Sequence, residues 1–536
     1  IGVLFTKSQP FVSSTKPLPS SSLLFSLSFM PVCKAYGLSD AMCVLFTGVL
    51  FIIGLILIEV FFKIYEKLSI KVTPPSKQIS LKVAFGIYIM FVALWGFIFL
   101  AYYPGCASTD SNDIFKVILG LDFTSDWYRY DTLNNHHPVV YIFLNWCIIS
   151  TALFFGASTA KAVACVAVFH LMFLAWCCVH FCRKIYNLTG NSLLFKVSVV
   201  FFLFNPLVIL YSFTIWKDVL FSGIVLVLGI ELFALSLNAN EYLRKPTNVV
   251  FLAGLFVACC LIRNNGILVV AITLLAVICF FKKQRKTLIK IAVCTMAAYL
   301  IVVGPIFSFA KVAPGHFSEA ISIPLQQVGY TISHQGELSE SEADFFNKIM
   351  PLETFCERYQ DGSPNSLKFS KNFNDEFLES HKIEFFINYL GVGFKNPLAY
   401  FYAWVEQTKS FWCIGASTWY TIGAGYDIEK PISNSIIASF VDYQSLNSIL
   451  NASIQNTNPV FNIGILVWFM LFAFFYNLRS KRGRYCLCLV PILIVWASLL
   501  IAAPATDFRY VFSLHLSLPL MLAAVLFCQV KREEKV

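Results

Sequence analysis

Two carboxylates follow the second apolar block of the chain, within the segment YYPGCASTDSND. Asp110 and Asp113 come shortly after Pro104 and Gly105, which break the preceding helix. Their spacing of three residues puts both carboxylates on one face of an amphipathic helix predicted over 110–121. A carboxylate held there is suited to act as a general base or to bind a metal ion. The structural alternative is that Asp110 caps this helix and Asp113 stabilises its positive end.

Two adjacent histidines close the same polar segment. His136 and His137 immediately precede Pro138 and the next apolar block. The chain is therefore expected to return there to the membrane surface at which the acidic segment began. Neutral or charged imidazoles at such a place can bind a phosphate or orient a substrate hydroxyl. The alternative is that they are ordinary polar groups satisfied at an interface.

Charged residues also occupy three short turns between apolar blocks. Lys217 and Asp218 lie in YSFTIWKDVLF, Arg263 lies in LIRNNGI, and Asp507 and Arg509 lie in PATDFRYVF. Each pair taken alone could simply close a helical hairpin. Together they place several ionisable groups at one end of a bundle, where such groups are costly and default to a functional interpretation. Cations at that end suit an anion such as a lipid phosphate.

A pair of amides is the last candidate. Gln326 and Gln327 lie in ISIPLQQVGY, near the start of a large polar segment. Their neutral side chains suit hydrogen bonds to sugar hydroxyls and hydrogen bonds to local backbone equally well.

The chain that must position these residues has 536 residues, of which 58% are hydrophobic, 16% aromatic and 13% charged. An ordinary soluble domain carries about 25% charged residues, so the composition excludes a water-soluble enzyme. The apolar blocks are continuous, long enough to cross a hydrocarbon layer about 30 Å thick, and without the alternation of β-barrel strands. The sequence therefore predicts an all-α polytopic membrane protein. Basic cytoplasmic loops explain the net charge of +10, with no nucleic-acid partner.

About a dozen apolar blocks predict a bundle of about 11–13 transmembrane helices. They lie near residues 41–62, 83–103, 138–156, 162–182, 193–213, 218–237, 248–262, 267–281, 288–309, 460–478, 485–505 and 510–530. Basic clusters at 63–82, 282–286, 479–484 and in the tail KREEKV are placed in the cytoplasm. Two full crossings between 138 and 182 would put Arg183 and Lys184 on the wrong side. Either one of those two blocks is therefore not a simple crossing, or the stretch contains a third short helix.

Four regions follow from this pattern. An N-terminal segment, 1–82, carries one extra transmembrane helix, and a transmembrane core, 83–309, contains the first extracytoplasmic loop, 104–137. Residues 310–455 are too polar for the membrane and too long for a turn, so they predict a mainly helical extracytoplasmic domain. Residues 456–536 contain the C-terminal transmembrane helices and a basic cytoplasmic tail.

The order of these motifs resembles an uncharacterised bacterial family of multi-spanning proteins related to the GT-C superfamily of membrane glycosyltransferases. The resemblance is carried by YYPGCASTDSND, NNHHPVVY, FTIWKDVLFS, LIRNNG, ISIPLQQVGY and TDFRYVFSLHLSLP, and it spans about residues 83–525. It implies a GT-C-like helix bundle with an acidic catalytic residue in the first long extracytoplasmic loop. That position falls on Asp110, with Asp113 as the second candidate. The same loop departs from a simple acidic pair, because it also holds Asp122, Asp126 and Asp131.

The function that the resemblance implies is transfer of a sugar from a polyprenyl-phosphate-linked donor to a cell-envelope acceptor. The expected location is the plasma membrane, with the active site on its extracytoplasmic face and the lipid bilayer as a partner. Lys217, Arg263 or Arg509 would stabilise the phosphate leaving group, and Asp110 would deprotonate the acceptor hydroxyl. No cofactor is required, although Mg²⁺ or Mn²⁺ held by Asp110 and Asp113 is an alternative.

Three other functions remain open at this stage. Many spans and few charges also suit a secondary transporter or a lipid-linked-sugar flippase, which usually shows repeats and a midplane site that this sequence lacks. A non-catalytic protein of envelope assembly could keep the same fold without activity. A polysaccharide polymerase or ligase differs mainly in transferring a chain instead of one sugar.

Overall fold

The computed structural model describes residues 25–26, 39–68, 70–71, 75–120, 133–416, 448–449, 461–479 and 483–528. These residues are almost entirely helical, which confirms the predicted all-α architecture. Extended structure in this described part is limited to a parallel pair of two-residue strands, β1 (Ile70–Lys71) with β2 (Phe527–Cys528).

The bundle is built from helices at both ends of the chain. The N-terminal set is α1 (Asp40–Leu68), α2 (Leu81–Ala101), α3 (Thr109–Leu119), α4 (Val139–Phe154), α5 (Thr159–Thr189), α6 (Ser192–Phe204), α7 (Pro206–Ser212), α8 (Lys217–Leu237), α9 (Ala239–Arg244), α10 (Pro246–Ile262), α11 (Gly266–Phe280), α12 (Arg285–Ile301) and α13 (Phe307–Phe309). A one-turn π-helix, Val302–Ile306, joins α12 to α13, and a 3₁₀ turn, Lys282–Gln284, precedes α12.

A separate helical unit follows the bundle's N-terminal set. Its helices are α14 (Phe317–Ala320), α15 (Ser322–Ser333), α16 (Glu340–Ile349), α17 (Leu352–Arg358), α18 (Asn365–Lys368), α19 (Asp375–Ser380), α20 (Lys382–Lys395) and α21 (Pro397–Thr408), closed by a 3₁₀ turn at Lys409–Phe411. The chain then returns to the bundle through α22 (Ile463–Arg479), α23 (Val490–Ala502), α24 (Phe512–Leu516) and α25 (Leu518–Leu526), with 3₁₀ turns at Gly483–Cys488 and Phe508–Val511.

Six apolar helical stretches among the described residues are long enough to cross a membrane. They are Leu45–Ile64, Leu81–Ala101, Thr159–Thr189, Lys217–Leu237, Lys282–Phe309 and Phe508–Leu526. A seventh results if α6 and α7, which meet at 59°, form one broken span. The other predicted blocks are helices of 10–17 residues: α4, α10, α11, α22 and α23. The predicted multi-pass membrane protein is confirmed, with about six spans of full length instead of a dozen.

The prediction that one block between 138 and 182 is not a simple crossing agrees with the geometry. Helix α4 runs antiparallel to the first half of α5. The evidence is that the Tyr141 hydroxyl, at the start of α4, lies 3.5 Å from His170 Nε2 in α5. The far end of α5 is fixed by Arg183, whose Nε donates to the Ile79 carbonyl oxygen at 3.1 Å just before α2 begins. Helix α5 therefore traverses the bundle alone, and Arg183 lies at the same end as the start of α2.

Helix α8 forms the centre of the bundle, since every residue from Asp218 to Leu237 is buried. Such a helix is apolar around its whole circumference and must be enclosed on all sides. It nevertheless carries Glu231, which is 1% exposed and accepts hydrogen bonds from Lys184 (2.9 Å) and Tyr242 (2.8 Å), with His180 Nε2 at 2.9 Å. These partners compensate the cost of burying a carboxylate.

The two ends of the bundle differ in charge. The described parts of three predicted basic clusters lie at the end that holds the C-terminus of α8. There Arg183 donates to the Ile79 carbonyl oxygen, Ser236 donates to the Arg484 carbonyl oxygen and Gln284 donates to Asn240. We call this the basic end. The opposite end, where α8 begins at Lys217, carries the helical unit and all the candidate residues of the bundle; we call it the site end.

The helical unit has its own hydrophobic core, distinct from that of the bundle. Phe346, Phe355, Phe385 and Val392 are fully buried within it. Main-chain hydrogen bonds attach the unit's first residues to the bundle, because the Asn135 amide donates to Ala313 O at 2.9 Å and the Ala313 amide donates to Leu133 O at 2.8 Å. The unit therefore stands directly over the site end.

Candidate active site

Asp110 lies in the first turn of α3, which is bound to the connection between α7 and α8. The Ile215 amide donates to the Cys106 carbonyl oxygen at 2.9 Å, and Ser111 Oγ donates to the Ile215 carbonyl oxygen at 2.6 Å. The residue at the N-cap is Ser108, so the predicted capping roles of Asp110 and Asp113 are wrong by two positions. Asp110 is consequently not needed to begin the helix.

Gly105 permits this close approach. Its φ of 129° lies in a region that other residues rarely adopt, and a Cβ there would meet the Cβ of Ala167 at 2.7 Å and Phe213 O at 3.3 Å. A glycine is therefore required where the chain leaves α2 and passes between α5 and the start of α8.

Two cations hold the Asp110 carboxylate. Oδ2 is 3.0 Å from Arg509 Nη1 and 3.7 Å from Lys217 Nζ. Burial opposes ionisation, but Arg509 and Lys217 hold the pKa of the Asp110 carboxyl well below its usual range. Its side chain keeps 32% of its surface exposed, because one side faces a cavity. Asp110 is therefore an ionised group that a ligand can reach.

Arg509 is fixed in place by its surroundings. Its backbone amide donates to Asp507 Oδ1 at 3.0 Å, Asp507 Oδ2 lies 3.5 Å from its Nε, and its Nη2 donates to the Tyr510 hydroxyl at 3.0 Å. The guanidinium also lies 5.2 Å from the centre of the Trp216 ring and 4.9 Å from that of Tyr510. Asp507 thus serves to orient Arg509, and it does not line the cavity itself.

A second ion pair stands beside the first. Arg263 Nη1 lies 3.2 Å from Asp218 Oδ1, and both side chains are almost fully buried. Arg263 lines the cavity, whereas Asp218 does not. The turn that carries Arg263 depends on Gly266, since a Cβ there would lie 1.9 Å from the Cys259 carbonyl oxygen. This tight turn presents the guanidinium to the site.

The two predicted histidines have different positions. His136 lines the cavity, and burial lowers its pKa to about 4. His137 lies behind it with 5% exposure, and its Nδ1 accepts a hydrogen bond from Lys217 Nζ at 3.0 Å. Burial and the charge of Lys217 lower the pKa of His137 well below its ordinary value. A neutral imidazole suits this role, because Nδ1 must accept the hydrogen bond.

Asp113 is the second carboxylate of the acidic segment. It is 5% exposed and contributes to the cavity wall. Burial, together with the neighbouring Asp110 carboxylate, raises the pKa of Asp113 to about 6. The environments of the two carboxylates therefore separate their pKa values, a common arrangement at catalytic sites.

The cavity has a volume of about 1110 Å³ and lies between the site end of the bundle and the helical unit. This volume is slightly above the range for small-molecule sites, about 300–1,000 Å³. Its bundle wall contains Asp110, Asp113, Lys116, Asn135, His136, Pro138, Lys217, Arg263, Asn264, Asn265, Leu268, Ser498, Leu499, Ile501, Ala502, Pro504, Arg509 and Tyr510. Its unit wall contains Gly315, His316, Glu319, Ala320, Asn365 and Phe369.

The unit wall adds polar groups that the sequence did not indicate. His316 Nδ1 is hydrogen-bonded to Asp375 Oδ2, and this hydrogen bond raises the pKa of His316. Glu319 accepts a hydrogen bond from Lys368 Nζ at 2.8 Å. The signal available in the sequence was the Pro314–Gly315 break directly before His316, at the start of the long polar segment. Only the fold reveals that this segment faces the acidic loop.

Gln326 and Gln327 do not line the cavity, and their contacts agree with the second of their two predicted roles, hydrogen bonds to local backbone. Gln326 Nε2 donates to the Gln360 carbonyl oxygen at 2.6 Å. Gln327 Nε2 donates to the Tyr400 carbonyl oxygen at 3.0 Å, and its Oε1 accepts from Tyr389 at 2.6 Å. Both amides are buried within the helical unit, where they satisfy local polar groups.

The residues beside Asp110 do not suit a divalent cation. No group of three or more His, Cys, Asp or Glu side chains within the described ranges is placed to hold a metal ion. Arg509 and Lys217 occupy the space next to the carboxylate and would repel a cation. Asp122, Asp126 and Asp131 lie outside the described residues.

Fold and site together define a multi-pass membrane protein with a charged cavity enclosed between its helix bundle and a helical unit at one end. The chain belongs to DUF6020, a family of unknown function whose model matches residues 129–536. No curated protein and no solved structure matches the chain. The match agrees with the coarser part of the expected resemblance, membership of an uncharacterised family, and its region includes His136, Lys217, Arg263 and Arg509. Asp110 and Asp113 precede the matched region.

Proposed function

We propose that this protein is a GT-C-like glycosyltransferase of the plasma membrane, moving a sugar from a polyprenyl-phosphate-linked donor to a cell-envelope acceptor. The observation that carries the proposal is the accessible Asp110 carboxylate held between Arg509 and Lys217 at the wall of the cavity. It combines a candidate base with cations for a phosphate leaving group in one place. The gathering of basic clusters at the opposite end of the bundle supports an extracytoplasmic site.

The donor phosphate would bind to the cations that now hold the Asp110 carboxylate. Arg509, Lys217, Arg263 and Lys116 are the cations of the bundle wall, and Asp110 lies within reach of the first two. A phosphate entering from the lipid side, past Leu268 and Ile501, would compete with Asp110 for Arg509 and Lys217. Loss of these contacts would make the carboxylate more basic at the moment the donor is in place.

The chemical step would then be a single displacement. Asp110 takes the proton of an acceptor hydroxyl, and the oxygen attacks the anomeric carbon from the side opposite the phosphate. The bond between the anomeric carbon and the phosphate oxygen breaks, its electron pair leaves with the polyprenyl phosphate, and Arg509 with Lys217 stabilises the developing charge. The configuration at the anomeric carbon inverts. Asp113, with its pKa of about 6, is the alternative base.

A flippase for lipid-linked sugars is the second candidate, favoured by one observation. The α6–α7 span is broken at Asn205, whose side-chain amide lies 3.0 Å from His515 Nε2 inside the bundle. Broken spans with internal polar contacts are frequent in transporters. The cavity at one end of the bundle, closed over by a separate unit, favours the transferase.

The test is release of polyprenyl phosphate from a panel of polyprenyl-phosphate-linked sugars by the purified protein in lipid nanodiscs. We expect release by the wild type, loss of at least 100-fold with Asp110→Asn, and no change with Asp344→Asn, an exposed carboxylate of the helical unit. Equal release by the wild type and Asp110→Asn would transfer the role of base to Asp113. No release from any donor, combined with movement of a labelled donor across a vesicle membrane, would favour the flippase.

A further inference from the structure

Helix α20 of the helical unit presents a continuous apolar face that no described residue covers. Ile383, Phe386, Ile387, Leu390 and Phe394 follow helical spacing on one side and are 44–84% exposed. The opposite side carries Phe385 and Val392, which are fully buried in the unit's own core. Helix α20 is thus apolar on two faces, although its own unit covers only one of them.

The exposed apolar surface continues onto α21. Leu398, Phe401 and Tyr402 are 69%, 56% and 43% exposed, and only Asn396 separates the two helices. Single exposed apolar residues are ordinary, but a contiguous patch of large side chains marks an interaction surface. We call the exposed side chains of α20 and α21 the apolar face.

Hydrogen bonds at the C-terminal end of α21 show how the apolar face is positioned along the bundle. Trp404 Nε1 donates to the Leu500 carbonyl oxygen at 2.8 Å, and Gln407 donates to the Ala503 carbonyl oxygen at 2.6 Å. Both acceptors belong to the last turn and the C-terminal cap of α23. Ile501, in the same turn, is 71% exposed as part of the bundle's apolar surface. Helix α21 therefore ends where the apolar surface of the bundle ends.

Tryptophans mark the same level. Trp496 Nε1 donates to the Phe411 carbonyl oxygen at 2.8 Å, Trp468 Nε1 donates to that of Trp412 at 2.9 Å, and the rings of Trp404 and Trp412 stack 6.1 Å apart. Tryptophan gathers where hydrocarbon gives way to lipid headgroups. The apolar face thus begins at the height of a membrane interface and is continuous with the lipid-facing surface of the bundle.

We propose that the apolar face of α20 and α21 rests in the leaflet at the site end, so that the helical unit is bound to the lipid surface as well as to the bundle. Amphipathic helices bury such faces at the boundary between headgroups and acyl chains. Lys382 and Lys395 flank the face and are paired with Glu379 and Glu342, and Glu384 is exposed beside it, so the contact would depend on apolar area and would gain little from anionic lipid. This inference is independent of the proposed transferase activity.

The test uses the full-length protein in vesicles of phosphatidylethanolamine and phosphatidylglycerol. A photoreactive benzoylphenylalanine replaces Phe394, or in a second variant Ile387, both exposed enough to accept it without repacking. The matched control carries the same group at Asp344, an exposed polar position of α16 in the same unit. Adducts formed on illumination are identified by mass spectrometry.

We expect lipid adducts at positions 394 and 387 in at least tenfold greater yield than at position 344. The yield should not fall when phosphatidylglycerol is omitted, because Lys382 and Lys395 beside the face are already paired with carboxylates. Crosslinks between two copies of the chain at these positions would replace the lipid by a second copy as the occupant and overturn the proposal. Equal yields at 394, 387 and 344 would also overturn it, because the face would then lie in water.

Discussion

Replacing Asp110 by asparagine should tighten the binding of a lipid phosphate while it abolishes turnover. In the wild type the carboxylate lies 3.0 Å from Arg509 and 3.7 Å from Lys217, so it competes with a phosphate for the same two cations. The asparagine amide keeps the size of the side chain and a weak hydrogen bond, but it carries no charge. A ligand phosphate would then meet two cations that no carboxylate neutralises.

The magnitude follows from these distances. With an effective dielectric constant of about 20, each contact corresponds to about 5 kcal/mol before solvent screening. A charge-assisted hydrogen bond contributes only about 1.5–3 kcal/mol net. Because Asp110 is 32% exposed and solvent screens its charge, we take about 1.5 kcal/mol for the binding free energy gained when the carboxylate is removed. Because about 1.4 kcal/mol is a factor of ten in affinity, we expect binding about tenfold tighter.

The assay is binding of a fluorescent polyprenyl phosphate to the protein in nanodiscs, with Asp344→Asn as the control. The gain should be constant between pH 5 and 8, since Arg509 and Lys217 hold the pKa of Asp110 well below that range. Unchanged or weaker binding by Asp110→Asn would refute the idea that carboxylate and phosphate share these cations. Tighter binding with turnover retained would keep the cation site but remove Asp110 as the base.

Three further predictions concern other parts of the molecule. Asp113→Asn should remove a rise in transfer rate centred near pH 6 if Asp113 is the base, because its pKa is about 6 and only the ionised form accepts a proton. Gly105→Ala should lower the unfolding midpoint, at a cost of about 1–3 kcal/mol from the strained φ and the contact with Ala167, whereas Gly254→Ala, which meets no atom within 4 Å, should not. Glu231→Gln should cost about 1–3 kcal/mol by leaving the Lys184 ammonium without its carboxylate and weakening the contact with His180, measured by thermal unfolding.

Each of these has a result that contradicts it. An unchanged pH profile in Asp113→Asn would show that the rise belongs to another group. Equal midpoints for the Gly105 and Gly254 variants would mean that α5 moves aside at no cost. For the buried glutamate, the control is Glu241→Gln on exposed α9; equal effects would show that the cluster around Glu231 contributes nothing specific.

The sequence predicted the membrane helices and the end at which the charged turns meet. It did so because apolar blocks and basic clusters are local properties of the chain. The direct pairing of Asp110 with Arg509, which are 399 positions apart, depends on the tertiary packing that brings the start of α3 to the 3₁₀ turn at Phe508–Val511. Hydropathy is averaged over many consecutive residues, so it does not reveal a bend between two helices such as the one at Asn205. His316 was missed because its importance comes from facing the acidic loop and not from its neighbours in sequence.

The cavity is formed by two parts of the chain that have separate hydrophobic cores. Each wall can therefore change without repacking the core behind the other wall. The cations and the carboxylates Asp110 and Asp113 belong to the bundle, whereas His316 and Glu319 belong to the helical unit. Main-chain hydrogen bonds at Asn135 and Ala313 join the walls without using cavity side chains. Under the proposed transferase function, a chimera that exchanges the unit between relatives would keep the cations for the donor phosphate in the bundle and change only the residues of the opposite wall.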